Sequence, residues 1–367
     1  MRIPGVLSEV WRNVSSGTTR AVIFALVTAV VVVVFTVADV VTIHHIEADV
    51  HQFQASAADV RTISAPGQVD GVACDQLSAV PSVQAAGAVR QAPSITAAEA
   101  PGVSMTAYEV SDGMAGVVGA TTTGQTGAWV ESALANVLAV GPGDTLSTAD
   151  GPLQVASVFD WPNDGRDPRF GFAILLPVQA AQSFDECWIR AWPIADDNDT
   201  LLRSTLIVST DSSPFLVSQV NRNLGVNLDA HQQYEQRLTR HGMWVAPLAL
   251  FLIGFIATWS RRLEHAANLH AGLDRGSFSL GVALESLVWV VAGNLLALMV
   301  DVAAIRILGM ASIGPVMATC GTIAWLSLAA SLLGTLVAAF FIRDKPESTA
   351  GLRRERHGAG AMGRRLP

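Results

Sequence analysis

Four long apolar stretches stand out along the chain. Residues 21–38 contain two threonines as their only polar side chains, and residues 242–259 carry no charge. A helix needs about 20 mostly apolar residues to cross the hydrocarbon core of a bilayer. The pattern therefore predicts four transmembrane helices, which we place at residues 21–43, 242–259, 280–300 and 318–342.

The residues between the first and second stretches have a different pattern, in which short apolar runs alternate with turn residues. This pattern predicts helices over residues 72–80 and 214–224, and strands over residues 83–91, 107–110, 116–119, 172–177 and 205–208. Residues 44–61 and 228–241 lack glycine and proline, so we expect helical stalks next to the first two spans. The predicted fold class is an α-helical membrane protein with four transmembrane helices and an α/β (α+β) extracytoplasmic domain inserted between helices 1 and 2.

Charge is distributed unevenly along the chain. Residues 44–241 carry nine arginines, no lysine and 22 acidic residues, whereas the rest of the chain carries 14 basic and nine acidic residues. Cytoplasmic loops of membrane proteins are enriched in Lys and Arg. We therefore predict that both termini and the connector at 260–279 are cytoplasmic and that residues 44–241 are extracytoplasmic. The remaining segments are a leader at 1–20, a short outside loop at 301–317 and a basic tail at 343–367.

The composition also limits the function. A net charge of −8 argues against a nucleic-acid partner, because such binders need a basic face. A P-loop ATPase needs a lysine after a glycine-rich loop, and the single lysine, Lys345, has no such loop before it. The sequence therefore predicts that this chain is not an enzyme and holds no cofactor or metal. The acidic run at 196–199 lacks the glycine and glutamate of a calcium loop. We interpret three histidines as stalk surface: His44, His45 and His51.

The cysteines divide between the two parts of the chain. Cys74 and Cys187 lie in the predicted extracytoplasmic block, and Cys320 lies in an apolar stretch. Extracytoplasmic compartments permit disulfides, so a Cys74–Cys187 disulfide is predicted. The alternative is that the two residues are unrelated buried thiols.

Charged residues also occur within or beside the predicted spans, where they are costly. Glu285 lies near the cytoplasmic end of the third span, and we expect it to pair with Arg262 or Arg275 or to contact a partner protein. The alternative is an interfacial carboxylate that reaches water. Asp39 and Asp301 lie near the predicted outer ends and are interpreted as interfacial charges.

The layout and several motifs resemble the FtsX-like, MacB-type ABC transporter permeases. One span, a large outer domain and three clustered spans follow the order of that family. Residues 129–135, 141–146 and 155–159 are similar to its outer-domain pattern V-x-S-x-x-L-A … G-x-x-L … V-x-G-V, with one residue fewer after Ser132 and with Ser157 in place of a glycine. Residues 261–275 resemble its R-x-x-E-x-x-x-L-x-x-x-G coupling segment, although His265 and its neighbours replace an isoleucine-rich helix.

The resemblance implies a permease subunit that transmits ATP-driven conformational change to its outer domain, for export or extraction of peptides, lipoproteins or amphipathic molecules. A separate ABC ATPase subunit would hold ATP and Mg²⁺, and a second permease protomer, identical or different, would complete the assembly. The implied location is the bacterial plasma membrane, with a smaller subdomain at about 120–170 of the outer domain. The implied ATPase-coupling residues are Arg261, Arg262, Glu264, Gly272, Arg275 and Glu285.

Two other functions remain open at the level of sequence. Some FtsX-like proteins regulate a cell-wall hydrolase instead of moving a substrate, which would add an extracytoplasmic protein partner. A membrane sensor without any ATPase is the third possibility. Binding of a hydrolase or of a small amphiphile by the outer domain would distinguish the first two functions.

Overall fold

The computed structural model describes residues 3–17, 19–98, 102, 104–121, 124, 126–194, 197–207, 214–310 and 312–342. The basic tail predicted at 343–367 and Asp196 of the acidic run lie outside the described residues. The chain divides into two compact units, a helical unit formed by residues 1–46 and 234–367 and a sheet unit formed by residues 47–233.

The helical unit consists of long apolar helices and two shorter ones. Four helical stretches, Ala21–Ala55, Ala230–Ser260, Arg275–Leu308 and Ile313–Phe341, are long and apolar enough to cross a membrane. The prediction of four transmembrane helices is therefore confirmed, and the chain is a multi-pass membrane protein. The helices of this unit are α1 (Ile3–Ser15), α2 (Ala21–Ala55), α8 (Gly242–Ser260), α9 (Arg262–His270), α10 (Arg275–Leu308) and α11 (Ile313–Phe341).

Two of these helices, α8 and α11, pack closely because glycines face backbone at their crossing. A Cβ atom on Gly254 would overlap the carbonyl oxygen of Ser331, and one on Gly334 would overlap that of Phe251. Lipid tails are as apolar as the side chains, so helices in a membrane associate through such close contacts of small residues. The glycines of these spans thus position α8, and with it the start of α9.

The sheet unit is built on one mixed sheet of nine strands. The strand order is β5-β6-β4-β7-β3-β2-β8-β1-β9. The pairs β3–β7 and β4–β6 are parallel, and the other pairs are antiparallel. The strands are β1 (Val60–Asp70), β2 (Val83–Thr96), β3 (Ser104–Val110), β4 (Ala128–Glu131), β5 (Thr145–Thr148), β6 (Gly151–Phe159), β7 (Ala173–Pro177), β8 (Ser183–Ala191) and β9 (Leu216–Gln219).

Short helices cover the sheet and complete the α/β class. They are α3 (Gly71–Gln76), α4 (Met114–Val118), α5 (Ser132–Leu138) and α6 (Asn198–Arg203), with 3-10 turns at Leu77–Ala79 and Pro168–Phe170. Helix α7 (Ala230–Gln236) and a 3-10 turn at Leu238–His241 come between the sheet unit and α8 in the chain. The strands at 120–170 belong to the same nine-stranded sheet as the others. The smaller subdomain in that region stays a prediction.

A disulfide links α3 to β8. Cys74 and Cys187 are bonded and both are fully buried, so the predicted disulfide is confirmed. They lie in an apolar cluster that also contains Ile63, Phe184 and Leu202. The residues predicted to form a helix at 72–80 do so as α3 and the following 3-10 turn.

Two secondary-structure predictions in the sheet unit are wrong. A third, the strand at 205–208, forms only an isolated bridge between Leu206 and Val69 within the described residues, and residue 208 lies outside them. Residues 116–119, predicted as a strand, belong to helix α4 and its left-handed cap at Gly119. Met114, Val117 and Val118 are buried and Gly116 is exposed, but a run of five residues is too short for its apolar pattern to separate helix from strand. The helix predicted at 214–224 is instead occupied by β9, because pairing with β1 overrides local preference.

The two predicted stalks differ from each other. Helix α2 runs without interruption over 35 residues, so a helical first stalk is present, but it ends at Ala55 and not near residue 61, because β1 begins at Val60. The returning segment does not run straight into its span, since Arg237 has extended backbone geometry (ψ 133°) and separates α7 from the 3-10 turn. The prediction of an unbroken returning stalk is therefore wrong.

Candidate coupling site in the helical unit

Arg261 is the centre of a charged cluster at the junction of α8 and α9. Its Nε and a terminal nitrogen donate to both carboxylate oxygens of Glu264 at 3.0 and 2.8 Å. The other terminal nitrogen donates to Glu285 on α10 at 2.8 Å. The hydrogen bonds to Glu264 raise the pKa of Arg261, and the same bonds lower the pKa of the Glu264 carboxyl. One guanidinium thus joins the connector to the third span.

Glu285 also reaches the N-terminal helix. Its second carboxylate oxygen accepts a hydrogen bond from the side-chain amide of Asn13 on α1 at 2.8 Å. Glu285 is only 8% exposed, so both oxygens are satisfied by protein groups away from bulk water. A buried carboxylate needs such partners, because leaving a charge unpaired is strongly destabilising.

The partner of Glu285 is not the one predicted. Sequence reasoning proposed Arg262 or Arg275, and the structure places Arg261 there instead. Arg261 is the cap residue between α8 and α9, whereas Arg262 is the first residue of α9 and has its guanidinium 5.5 Å from the ring centroid of Trp259. Arg275 is exposed at the first position of α10.

The remaining predicted coupling residues form the turn that follows α9. Gly272 has φ +91°, a left-handed conformation that suits glycine and lets the chain reverse before α10. Asp274 caps α10 by accepting a hydrogen bond from the backbone nitrogen of Ser277 at 3.1 Å. The structure therefore brings Arg261, Glu264 and Glu285 together, and leaves Arg262, Gly272 and Arg275 outside this cluster.

His265 lies beside the cluster and was missed as a site residue. It is 4% exposed and packs edge-on against Phe278 of α10, with ring centroids 5.2 Å apart. Burial, together with the charge of Arg261, lowers its pKa to about 4, so the imidazole is neutral near pH 7. A histidine in a segment with three charged residues, Arg261, Arg262 and Glu264, is expected to be exposed to solvent. No pattern in the sequence marks His265 as the buried contact between α9 and α10.

We expect the packing of α9 to weaken on acidification. The pKa of His265 in the folded state is below the ordinary histidine value of about 6.5, so its contribution to stability is complete above about pH 6.5 and is lost as the pH falls toward 4. At pH 5 the loss is about 2 kcal/mol. Hydrogen exchange of the chain in lipid nanodiscs, corrected for intrinsic rates, would show α9 losing at least about tenfold protection between about pH 7 and pH 5. The His265→Gln variant should lack this dependence, whereas His270→Gln, altered at an exposed site, should keep it.

A second polar cluster joins α2, α10 and the segment that precedes α8. Asp39 of α2 accepts a hydrogen bond from Arg237 at 2.9 Å, and Asp301 of α10 accepts one from Thr36 at 2.7 Å. The Arg237 guanidinium also lies 3.7 Å from the ring centroid of Tyr234. Both aspartates are 2% exposed, so their interpretation as interfacial charges is wrong. They face neighbouring helices because an ionisable group in a span needs a protein partner.

In the sheet unit, two arginines hold the end of helix α2. Arg166 donates to the carbonyl oxygen of Ala55 at 2.7 Å, and Arg190 donates to that of Gln54 at 3.0 Å. Arg190 also pairs with buried Asp59 at 3.0 Å. Cations are favourable at a helix C-terminus, where the last carbonyl groups lack helical partners. We name Arg166 and Arg190 the helix-end clamp.

Among the described residues, no group of three or more His, Cys, Asp or Glu side chains is arranged to hold a metal ion. The candidate site consists of ion pairs, hydrogen bonds and helix packing. Its position at the junction of three helices suits the transfer of a displacement from one segment to another.

Comparisons with known proteins add the following. A scan against models of protein families and a search of curated proteins both find no match. The periplasmic region of MacB from Actinobacillus actinomycetemcomitans is similar in structure, with 10% identity and a TM-score of 0.33, covering 47% of this chain and 94% of that one. The extracellular domain of the noncanonic ABC-type transporter YknZ from Gram-positive bacteria has 13% identity and a TM-score of 0.28, covering 39% and 88%.

A third solved structure is a domain of a permease protein from Porphyromonas gingivalis. It shows 12% identity and a TM-score of 0.33, and the match covers 46% of this chain and 91% of that one. At these identities and TM-scores the similarities do not by themselves assign a family or a fold. The fold of this chain is established by its own helices and sheet.

Proposed function

We propose that this chain is the membrane subunit of an ABC transporter-type complex, in which a separate ATPase drives conformational change through the α8–α9 junction. The observation that carries the proposal is the Arg261 cluster. One guanidinium ties Glu264 of α9 to Glu285 of α10, and Glu285 in turn holds Asn13 of α1. A force applied to α9 therefore acts on three helices together.

The exposed surface of the junction suits a protein partner. Leu263 is 79% exposed although it is a large apolar residue, and Arg262 and Ala267 are exposed beside it on α9. Arginine is enriched among the residues that anchor protein interfaces, and Leu263 adds an apolar contact beside Arg262. Glu285 and most of Arg261 are shielded from solvent, whereas Glu264 is exposed on the same helix as Leu263.

If this proposal is correct, the ATPase is a separate chain. The single lysine, Lys345, lacks the preceding glycine-rich loop that cradles phosphates, so ATP and Mg²⁺ would be bound by the partner. Two ATPase subunits acting together would require a second permease protomer, identical or different. The substrate class would be peptides, lipoproteins or amphipathic molecules.

We further infer an orientation in a bacterial plasma membrane, with both termini in the cytoplasm. The basic segments next to the spans support this orientation. The disulfide supports it independently, because Cys74 and Cys187 lie in the sheet unit and disulfides persist in oxidising compartments. The sheet unit would then be extracytoplasmic.

The test is purification of the chain from its native membrane in mild detergent, followed by identification of co-purifying proteins and an ATPase assay. We expect a stoichiometric P-loop ATPase. The variants Arg262→Glu and Leu263→Asp, at exposed positions, should reduce co-purification by about tenfold or more. The first reverses a charge at the proposed interface, and the second introduces a charge at an apolar contact. The matched control is Arg306→Glu, an exposed arginine at the far end of α10.

Two outcomes would contradict the proposal. Repeated absence of an ATPase from the intact, folded chain would favour a membrane sensor that works without one. Equal recovery of the ATPase with Arg262→Glu, Leu263→Asp and Arg306→Glu would remove α9 from the interface. If the ATPase is present but the complex binds a cell-wall hydrolase, the regulatory function replaces transport.

A further inference from the structure

The sheet unit contains an apolar cavity that none of the features above uses. Its volume is about 350 Å³, and it lies between α5, β5 and the adjoining ends of β2 and β3. This volume is about twice the roughly 150 Å³ of an engineered apolar cavity that takes up benzene. It also lies within the range of about 300–1,000 Å³ that is common for small-molecule sites.

The lining of the cavity is free of charge. Leu134, Leu146 and Met105 form a buried floor. The remaining described lining residues are apolar except for two hydroxyl side chains, Thr145 and Ser147, which are both exposed and therefore lie toward the opening. A ligand with a formal charge deep in this cavity would lose its hydration without gaining an ion-pair partner from a described residue, which is costly.

The rim of the cavity is apolar as well. Val137 is 71% exposed and Phe172 is 50% exposed, although both are large hydrophobic residues. Two protruding side chains are too few for a protein–protein interface, which uses about 20–30 residues on each side. They are sufficient to lengthen a narrow apolar site and to shield from water the part of a bound ligand that extends beyond the cavity.

We propose that this cavity binds a single hydrocarbon chain of about ten to twelve carbon atoms, with its polar end directed to Thr145 and Ser147. The length follows from a volume about twice that of a benzene-sized site. Burial of each methylene group contributes about 0.8 kcal/mol of transfer free energy, so a chain of this length suffices for binding without any ionic contact. The inference does not depend on an ATPase partner.

The experiment uses the full chain in lipid nanodiscs and a dodecanoic acid that carries a photoactivatable diazirine. After irradiation, the labelled peptides are mapped by mass spectrometry. We expect labelling of peptides that contain α5 or β5, in addition to the spans, and displacement of only the α5 and β5 labelling by unlabelled dodecanoate. Dodecanol should displace it equally well, because no described lining residue is charged.

Matched variants test the site itself. Val137→Asp should weaken labelling of α5 and β5 by about tenfold or more, since it places a charge at the apolar rim. Val226→Asp, at another exposed valine of the same unit, should leave it unchanged. Val137→Leu should retain labelling, and the labelling of the spans provides an internal measure of probe uptake in every variant.

Three results would overturn the proposal. Labelling confined to the spans would show that the probe is only dissolved in lipid. Equal labelling of α5 and β5 in Val137→Asp and Val226→Asp would place any binding elsewhere. Displacement by an apolar tripeptide but not by dodecanol would replace the hydrocarbon chain with a peptide. The labelling experiment contains no nucleotide and no ATPase, so its result, positive or negative, does not affect the test of the ATPase partner.

Discussion

Loss of the Cys74–Cys187 disulfide should produce the largest fall in stability of the sheet unit. The two residues are separated by 113 positions. A cross-link that closes a loop of about 100 residues stabilises the folded state by about 4.7 kcal/mol in the chain-entropy model. That is a large part of the roughly 5–15 kcal/mol typical of a domain. We expect the Cys74→Ala/Cys187→Ala variant to unfold at clearly lower denaturant concentration.

Tryptophan fluorescence measures this transition, because Trp161 and Trp188 are buried together in the core of the sheet unit. Reduction of the wild-type chain separates the cross-link from the change in side-chain volume, and it should produce a similar loss. Cys320→Ala, which alters a buried free thiol in α11, should leave the transition of the sheet unit unchanged. If the double alanine variant and the wild type unfold together, the disulfide does not stabilise the unit.

Removal of Arg237 should be nearly as costly for the helical unit. The Arg237 and Asp39 side chains are 9% and 3% exposed, so their pair is largely removed from solvent. Breaking a buried pair by removing one partner costs about 3–5 kcal/mol, because the remaining charge is left without compensation. We expect Arg237→Met to lower the thermal stability of the helical unit in nanodiscs, as followed by circular dichroism.

The same pair offers a sharp control. In the double variant Asp39→Leu/Arg237→Met neither charge remains, so most of the lost stability should return. Arg240→Met changes an exposed arginine in the same segment and should alter stability by no more than about 0.5 kcal/mol. A double variant as unstable as Arg237→Met would show that packing around Arg237 matters more than its charge.

The global architecture of this chain is accessible from sequence because it depends on long, redundant signals. Each span is indicated by many apolar residues, so single polar positions such as Thr28 do not obscure it. The disulfide was predictable from the compartment implied by the charge distribution. The wrong secondary-structure predictions concern short segments such as α4, whose five residues are too few for a periodic signal.

The details of the candidate site were less accessible, because they depend on which helix faces meet. The sequence showed that arginines and Glu285 lie near the membrane, but not that Arg261 rather than Arg262 faces α10. Asn13 lies 272 positions from Glu285, and no local pattern connects the two residues. The burial of Asp39 and Asp301 likewise follows from helix packing, which hydropathy does not describe. The ATPase-coupling roles of the residues from Arg261 to Glu285 stay predictions.

The helix-end clamp has a consequence for the order of synthesis. Arg166 follows Ala55 by 111 residues, and Arg190 follows Gln54 by 136 residues. At roughly 5–20 residues per second, the last turn of α2 emerges on the order of 10 s before the arginines that cap it. During that interval the carbonyl oxygen of Gln54 accepts a hydrogen bond from the nearby backbone nitrogen of Ala57, whereas that of Ala55 is left to water, and the turn frays. The end of the first stalk therefore becomes ordered only when most of the sheet unit has left the ribosome.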